Sequence, residues 1–378
     1  MTTQHMSPSA EPDVLIIGAG LTGLTAATCL IASGQTVKIL EASSTIGGRI
    51  QSVTDPTAGS YLGDLGPTWI WPDAQRLAAA WIAKLDLETF QQYDSGEAIV
   101  ERDQHSAPIR YSLPGMHDST RIVGGPKAIT DRLAGALPQN TIATNSPATS
   151  ITITSEGVEV TTSNPDLSTL RAKRVVVTIP LRIAADTISW QPVLPDRLLA
   201  TMRSTPTWMA AQAKAVAIYD RPFWRENGLS GRLASQVGPL VEAHDHSGRD
   251  GTPAALFGFI GWPHEMRRKA GDQLDEFVLE QLARCFGDEA RQPLNLQIED
   301  WSGNQHICAK LDLSEPPEHP QSVPAIIQQP LGDDQVYFAV AETAPISPGL
   351  IEGAFAAGES VAIKITRGAP HAGSHPSG

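Results

Sequence analysis

Short apolar runs and alternating runs divide the chain into elements. Val14-Leu15-Ile16-Ile17 is fully apolar and rich in β-branched residues, the pattern of a strand buried on both faces of a parallel sheet. A helical run follows to about Ser33, then a second apolar run, Val37-Lys38-Ile39-Leu40, which ends on Glu41. Asp73 to Leu87 predicts an amphipathic helix with apolar positions at Leu77, Trp81, Ile82 and Leu85. Ile99 to Ser112 predicts two short strands, and Lys127 to Leu137 a helix. Ser150 to Thr162 alternates around Ser155-Glu156-Gly157, a hairpin signal. Arg174-Val175-Val176-Val177-Thr178-Ile179-Pro180 reads as a buried strand ending in proline, and Ala213 to Tyr219 as another strand. Asp272 to Cys285 predicts a helix through Leu274, Phe277, Val278, Leu282 and Cys285. Gln335 to Thr343 reads as a strand ending in an acid, and Gly349 opens a helix that continues through Ala362. Strands interleaved with helices predict an α/β fold.

The join between the first strand and helix carries chemistry. Gly18, Gly20 and Gly23 stand in GxGxxG spacing, and Leu21 and Thr22 open the helix. The first glycine permits a tight turn, the second lets backbone approach a pyrophosphate, and the third lets helix and strand pack closely. The helix N-terminus offers N–H groups and partial positive charge to phosphates. Glu41, at the end of the second strand, is placed to hydrogen-bond a ribose diol, and would repel a 2′-phosphate. The residues alone leave FAD and NAD open, and a glycine-rich turn in a nucleotide-free sheet is the bland alternative.

Composition narrows the picture. The 378 residues are 41% hydrophobic and 18% charged, enough for a sizeable core and two domains. The net charge of −13 argues against nucleic acid and anionic membranes as partners. Cys29, Cys285 and Cys308 are scattered with no CxxC pair, which suits a reducing compartment and gives no disulfide framework or zinc site. Cys285 reads as a core thiol. Met1 to Glu11 has no Lys or Arg, and no run is apolar enough to span a bilayer. A soluble cytoplasmic protein without a membrane anchor is the default expectation. His244-Asp245-His246 has a metal-like look, but it reads as a polar loop with Ser247, Gly248 and Gly251, and no metal is expected.

Further segments add to the glycine turn. Gly47-Gly48-Arg49 follows the second strand, and Tyr61-Leu62-Gly63-Asp64-Leu65-Gly66-Pro67-Thr68-Trp69-Ile70-Trp71 is glycine-rich and aromatic. By itself the first is equally a surface turn with a solvated Arg, and the second a turn packed on the core. Arg121-Ile122-Val123-Gly124-Gly125-Pro126 leads into a helix, and a helix-start turn explains it as well as a site does. Lys214 lies on a strand, with Pro222-Phe223-Trp224 downstream. Near the end, Glu342-Thr343 is followed by Gly349-Leu350-Ile351-Glu352-Gly353-Ala354.

Together these segments resemble the flavin-containing amine oxidase family, the monoamine-oxidase-like FAD proteins, at intervals over most of the chain. The resemblance implies FAD, which the departure from the family at Cys308 makes non-covalently bound, and a Rossmann-like FAD-binding domain of discontinuous segments: 12–77, 139–182 and 331–366. A substrate domain of α+β type takes 78–138 and 183–330, with disordered tails at 1–11 and 367–378. It implies that Arg49, with Gly48 and Ala42 beside it, serves the FAD diphosphate end, and that Gly66, Pro67, Thr68 and Trp69 lie by the flavin. Ala148 falls near the adenine side, and Thr178 where the chain returns to the FAD domain. Trp301 lies near the flavin, Glu342 on the ribityl chain, and Leu350 and Ile351 at the flavin's N1–C2=O end. Lys214 is the catalytic candidate, holding a water near flavin N5.

The implied reaction is amine oxidation: a hydride passes from the carbon bearing nitrogen to flavin N5, the imine hydrolyses, and oxygen or another acceptor reoxidises the flavin. A homodimer is one candidate assembly. Three positions depart from the family. Val340 replaces a glycine, and Leu350 and Ala309 stand where many amine-oxidising members place the two aromatic rings that cage the amine. Cys308 lacks the Gly-Gly context of a cysteine that attaches flavin. The altered cage keeps two rivals in view: an FAD-dependent dehydrogenase or desaturase acting on a carbon–carbon or ring substrate, and a flavin-binding protein without turnover.

Overall fold

The computed structural model describes residues 11–116, 118–315, 318–320 and 325–367. The described residues form two compact units. The first takes the chain up to Gly48, Leu133–Pro206 and the part from His319 onward; the second takes Arg49–Arg132 and Thr207–Glu318.

The first unit is built on a five-stranded parallel sheet. Its order is Val336–Phe338, Arg174–Val177, Val14–Ile17, Val37–Leu40, Ile142–Ala143. Val14 to Ile17 are buried at every position, as the unbroken apolar run requires of a central parallel strand. The Leu21–Ala32 helix follows it directly. It packs against the closing helix, Ile351–Arg367, where a Cβ on Gly358 would come 2.7 Å from Thr25 Cβ and 2.8 Å from Thr22 O. A second sheet of four strands contains the expected hairpin, Ala148–Thr154 and Gly157–Thr162. The core between these sheets runs through Leu15, Ile17, Val175, Val177, Ile151, Val160 and Phe338.

The second unit holds a seven-stranded sheet. Its order is Asn295–Asp300, Ala213–Tyr219, Ala254–Ile260, Leu240–Asp245, Leu229–Ser235, Glu97–Glu101, Ile109–Tyr111. Alternation assigns its two faces. Ala213, Ala215, Ala217 and Tyr219 meet Leu274, Val278 and Leu282 of the Gln273–Phe286 helix. Val216, Ile218, Phe257 and Phe259 meet Val53, Leu62, Leu65 and Trp69 instead. Lys214 belongs to this second face by its parity with Val216.

Several expected elements take different bounds. The first amphipathic helix covers Arg76–Lys84, shorter than Asp73 to Leu87. Of the strand expected from Gln335 to Thr343, Val336–Phe338 forms the strand, and Glu342 lies in a 3₁₀ turn, Ala341–Thr343. That turn is closed locally, with the Thr343 hydroxyl donating to Val340 O at 2.8 Å, an alternative to the ladder that Ser and Thr commonly offer. The closing helix runs past Ala362 to Arg367. The His244-Asp245-His246 loop reading is overturned: His244 and Asp245 end the Leu240–Asp245 strand and all three residues are buried. Apart from Glu11 and Arg367, the expected tails lie outside the described residues.

Candidate functional site: a dinucleotide cradle and a buried lysine

In the first unit the three glycines behave as their spacing predicts. Gly18 has φ +106°, and a Cβ there would lie 2.8 Å from Thr178 Oγ1. The Thr178 hydroxyl donates to Ile17 O at 2.8 Å, tying the two strand ends together. A Cβ on Gly23 would lie 2.1 Å from Gly18 O, so the helix can approach the strand only without a side chain. Gly20 differs. The nearest atom to a Cβ there is Gly48 Cα, 4.0 Å away, so its surface is left open for a ligand. Gly20 is the N-cap of the Leu21–Ala32 helix and provides no side-chain cap, and the first turn holds no acid. The N–H groups of Leu21, Thr22 and Gly23 and the positive end of the helix dipole therefore face an uncapped terminus.

Glu41 is buried beside this turn. Its Oε2 accepts from Ala19 N–H at 2.7 Å and its Oε1 from Ser43 N–H at 2.8 Å. Each oxygen keeps a lone pair for a diol. Ala42 and Gly48 are half-buried next to it, Gly48 with φ +58°. Ala148, half-buried, opens its strand in the same unit. Glu342 is buried in its 3₁₀ turn. Leu350 is half-buried and Ile351 buried at the start of the closing helix, whose Ala354 N–H donates to Leu350 O. A Cβ on Gly353 would lie 2.5 Å from Ser347 O, so that first turn presses directly on the loop before it. Open backbone at Gly20, an uncapped helix start and an acid on the second strand fit a dinucleotide with an unmodified adenosine ribose.

In the second unit Lys214 is 3% exposed. Its Nζ donates to Thr68 Oγ1 at 2.6 Å and to Gly66 O at 3.0 Å, and sits 4.1 Å from the centre of the Phe257 ring. Burial pulls the amine down to about 7, which Asp64 opposes and Arg121 assists. Near neutrality Lys214 is thus divided between ammonium and neutral amine, as an acid–base group needs. The loop that holds it is itself pinned. A Cβ on Gly66 would lie 2.0 Å from Arg49 O, and Trp301 Nε1 donates to Leu65 O at 3.2 Å. Trp69 Nε1 donates to Gln92 at 2.8 Å, and its ring lies 4.8 Å edge-on to His244 and 5.3 Å from Phe257. Pro67 is half-buried. Arg49 is half-buried and donates to Trp208 O at 3.0 Å. Lys214 thus lies against the loop that carries Gly66, Thr68 and Trp69, with Trp301 holding that loop at Leu65.

Tyr61, Asp64, Arg121 and His246, which no motif joins, form a buried polar group. Asp64 N–H donates to His246 Nε2 at 2.9 Å, and the Tyr61 hydroxyl lies 3.1 Å from the same nitrogen. Burial and Arg121 pull His246 down to about 3, so its ring is neutral. Arg121 donates to Ser247 O at 2.6 Å and His246 O at 3.0 Å. Asp245 is held by Trp224 and by both ends of the Arg225 guanidinium. The metal-like triplet is therefore bound up in structure: its acid is paired and one histidine accepts from backbone. Cys285 is buried, its thiol pushed up to about 12 by burial.

The sequence model of the family described as flavin containing amine oxidoreductase matches residues 21–112 and 96–366. A probable flavin-containing monoamine oxidase A of Dictyostelium discoideum is 24% identical, over 93% of this chain and 97% of its own. Putrescine oxidase of Kocuria rosea is 25% identical, over 78% of this chain and 83% of its own. Among solved structures, putrescine oxidase bound to putrescine superposes with a TM-score of 0.79 at 21% identity, covering 95% of this chain and all of that one. Cyclohexylamine oxidase from Brevibacterium oxydans gives 0.78 at 19% identity, over 94% and 99%. No helix among the described residues is long and apolar enough to cross a membrane.

Proposed function

The chain belongs to the flavin-containing amine oxidoreductase family and is a flavin-dependent enzyme that oxidises amines; from that premise we propose that its flavin is FAD, held without a covalent bond, and that Lys214 is its catalytic residue. The observation that carries this reading is the buried Lys214 amine, held on Thr68 and Gly66 and brought near neutral by its surroundings.

Gly18, Gly20, Leu21, Thr22 and Gly23 would hold the pyrophosphate, with Gly48 and Arg49 beside it and Thr178 bracing the turn. Glu41 and Ala42 would take the adenosine ribose, and Ala148 the adenine side. Glu342 would bind the ribityl chain. The start of the closing helix at Leu350 and Ile351 would place its positive end where negative charge develops on the reduced ring. Trp69, Pro67 and Trp301 would wall the ring. When bound, FAD supplies the hydride acceptor for the carbon bearing the nitrogen, and the resulting imine is hydrolysed. Lys214 has three positions around Nζ, two of them used by Thr68 and Gly66. The third would hold a water and pass a proton to or from it. Cys308 follows Trp301 by seven positions and is half-buried, with Sγ 3.7 Å from Ala309 O, which supports the non-covalent assignment. The names of the relatives, putrescine oxidase and cyclohexylamine oxidase, support small aliphatic amines as substrates, with oxygen or another acceptor closing the cycle.

Anaerobic mixing of the purified holoenzyme with putrescine, cyclohexylamine or benzylamine is expected to bleach the flavin's visible band. No bleaching by any amine would sink the substrate assignment. Acid precipitation should leave the flavin in the supernatant, with FAD as its only form; flavin retained on the pellet would refute non-covalent binding.

A further inference from the structure

Asp64 is 1% exposed, and neither oxygen of its carboxylate accepts a hydrogen bond among the described residues. Burying a carboxylate is costly unless nearby groups offset its charge. Gly125 is shaped around it: φ is +71°, and a Cβ there would lie 2.2 Å from Asp64 Oδ1 and 2.5 Å from the Tyr61 ring. His246 Nε2 lies 3.3 Å from Asp64 Oδ2, but that nitrogen already accepts the Asp64 N–H, so it donates nothing to the carboxylate.

The opposite charge is also present. Arg121 is 1% exposed and fixed on Ser247 O and His246 O, with its Nη2 3.5 Å from the Tyr61 hydroxyl. The group adjoins Lys214 through the Gly66 loop and through the Phe257 ring. Gly66, two residues beyond Asp64, accepts from Lys214 Nζ. The His246 ring lies 4.9 Å from Phe257, whose centre is 4.1 Å from Nζ.

We propose that Asp64 and Arg121 are positioning residues, an opposed pair of buried charges that adjusts the balance between ammonium and amine that burial imposes on Lys214. The proposal rests on the role given to Lys214 above. The carboxylate favours the ammonium and the guanidinium favours the amine. Burial is the largest influence on Lys214, and the charges of Asp64 and Arg121 act on top of it. His246 and its backbone donor are neutral, and Tyr61 is held protonated by burial. Asp245 is neutralised by Arg225. His244 packs its ring on Phe257 and Trp69. Glu299 stands opposite Lys214 on the neighbouring strand, half-buried and pushed up by that burial. Thr68 and Phe259 carry no charge.

The test reads Lys214 directly. Holoenzyme carrying ¹³Cε-labelled lysine is titrated by NMR, and the Lys214 signal is the one missing from Lys214→Met. Its midpoint is expected near 7. In Asp64→Asn, which keeps the shape, it should fall by about one unit, and in Arg121→Gln rise by about as much. Arg121→Lys should restore the wild-type midpoint. A merely structural role moves both variants the same way or neither, and either result overturns the proposal. If the arginine variants do not fold, the sign of the shift in Asp64→Asn decides alone. A second arm follows the pH dependence of reoxidation by oxygen of dithionite-reduced holoenzyme. An inflection that moves with the NMR midpoint and vanishes in Lys214→Met supports both readings. NMR shifts of opposite sign without any such inflection would keep the charge pair and remove the catalytic role of Lys214.

Discussion

Lys214 ties local electrostatics to a measurable stability. Unfolded, the amine keeps its proton up to about pH 10.5; folded, it loses it near 7. Between those values the unfolded chain binds more protons, so stability rises with pH; below 7 both states are charged and burial imposes its full penalty. His246 has the same sign of shift but acts between 6.5 and about 3, outside this window. Cys285 acts in the opposite sense above its ordinary 9.0. From pH 7 to 9 wild type should therefore gain about 2–3 kcal/mol on Lys214→Met, read from denaturant midpoints. A constant gap would mean that the folded amine stays charged. The glycines separate packing from binding at the same scale. Gly23→Ala forces a Cβ to 2.1 Å from Gly18 O and should destabilise the apoprotein by about 1–3 kcal/mol. Gly20→Ala adds a Cβ 4.0 Å from its nearest neighbour at φ −74°. It should leave the apoprotein's melting point alone and instead raise the Kd for FAD. Equal melting losses in both would refute the distinction.

At the scale of elements, the two helices of the first unit are joined where Gly358 meets Thr22 and Thr25. Gly358→Leu should push the closing helix off the first one, lowering the melting temperature and releasing flavin on gel filtration. A variant that keeps its flavin would show that neither helix start depends on this contact. The elements legible in sequence were those whose pattern is local. Val14–Ile17 and Ala213–Tyr219 have the bounds their apolar runs predict. The strand ending at Glu342 was not legible, because Thr343 competes for the Val340 backbone through its own hydroxyl. His244-Asp245-His246 looked like loop because polar residues in sequence carry no mark of their partners. Trp224 and Arg225, which neutralise Asp245, lie about twenty positions away. The tight packing at Gly18 and Gly23 was readable because glycine spacing is dictated by backbone clearance. The group of Asp64, Arg121 and His246 was not, because only the fold brings three separate segments together.

At the scale of the whole molecule, the net charge of −13 has a consequence that no single residue carries. Exposed ion pairs such as Arg171–Glu159 and Arg203–Asp186 balance locally, and the uncompensated excess is acidic. A protein with this charge attracts cationic amines over distances longer than any contact and raises their encounter rate. Salt shortens that reach to a Debye length of about 8 Å at 0.15 M. The value of kcat/KM for putrescine, with two positive charges at neutral pH, should fall as ionic strength is raised. Benzylamine, with one, should fall less, and kcat for both should change little. Steady-state kinetics across a salt series checks this ordering. Equal slopes for the two amines would assign the salt effect to the site rather than to the field of the molecule.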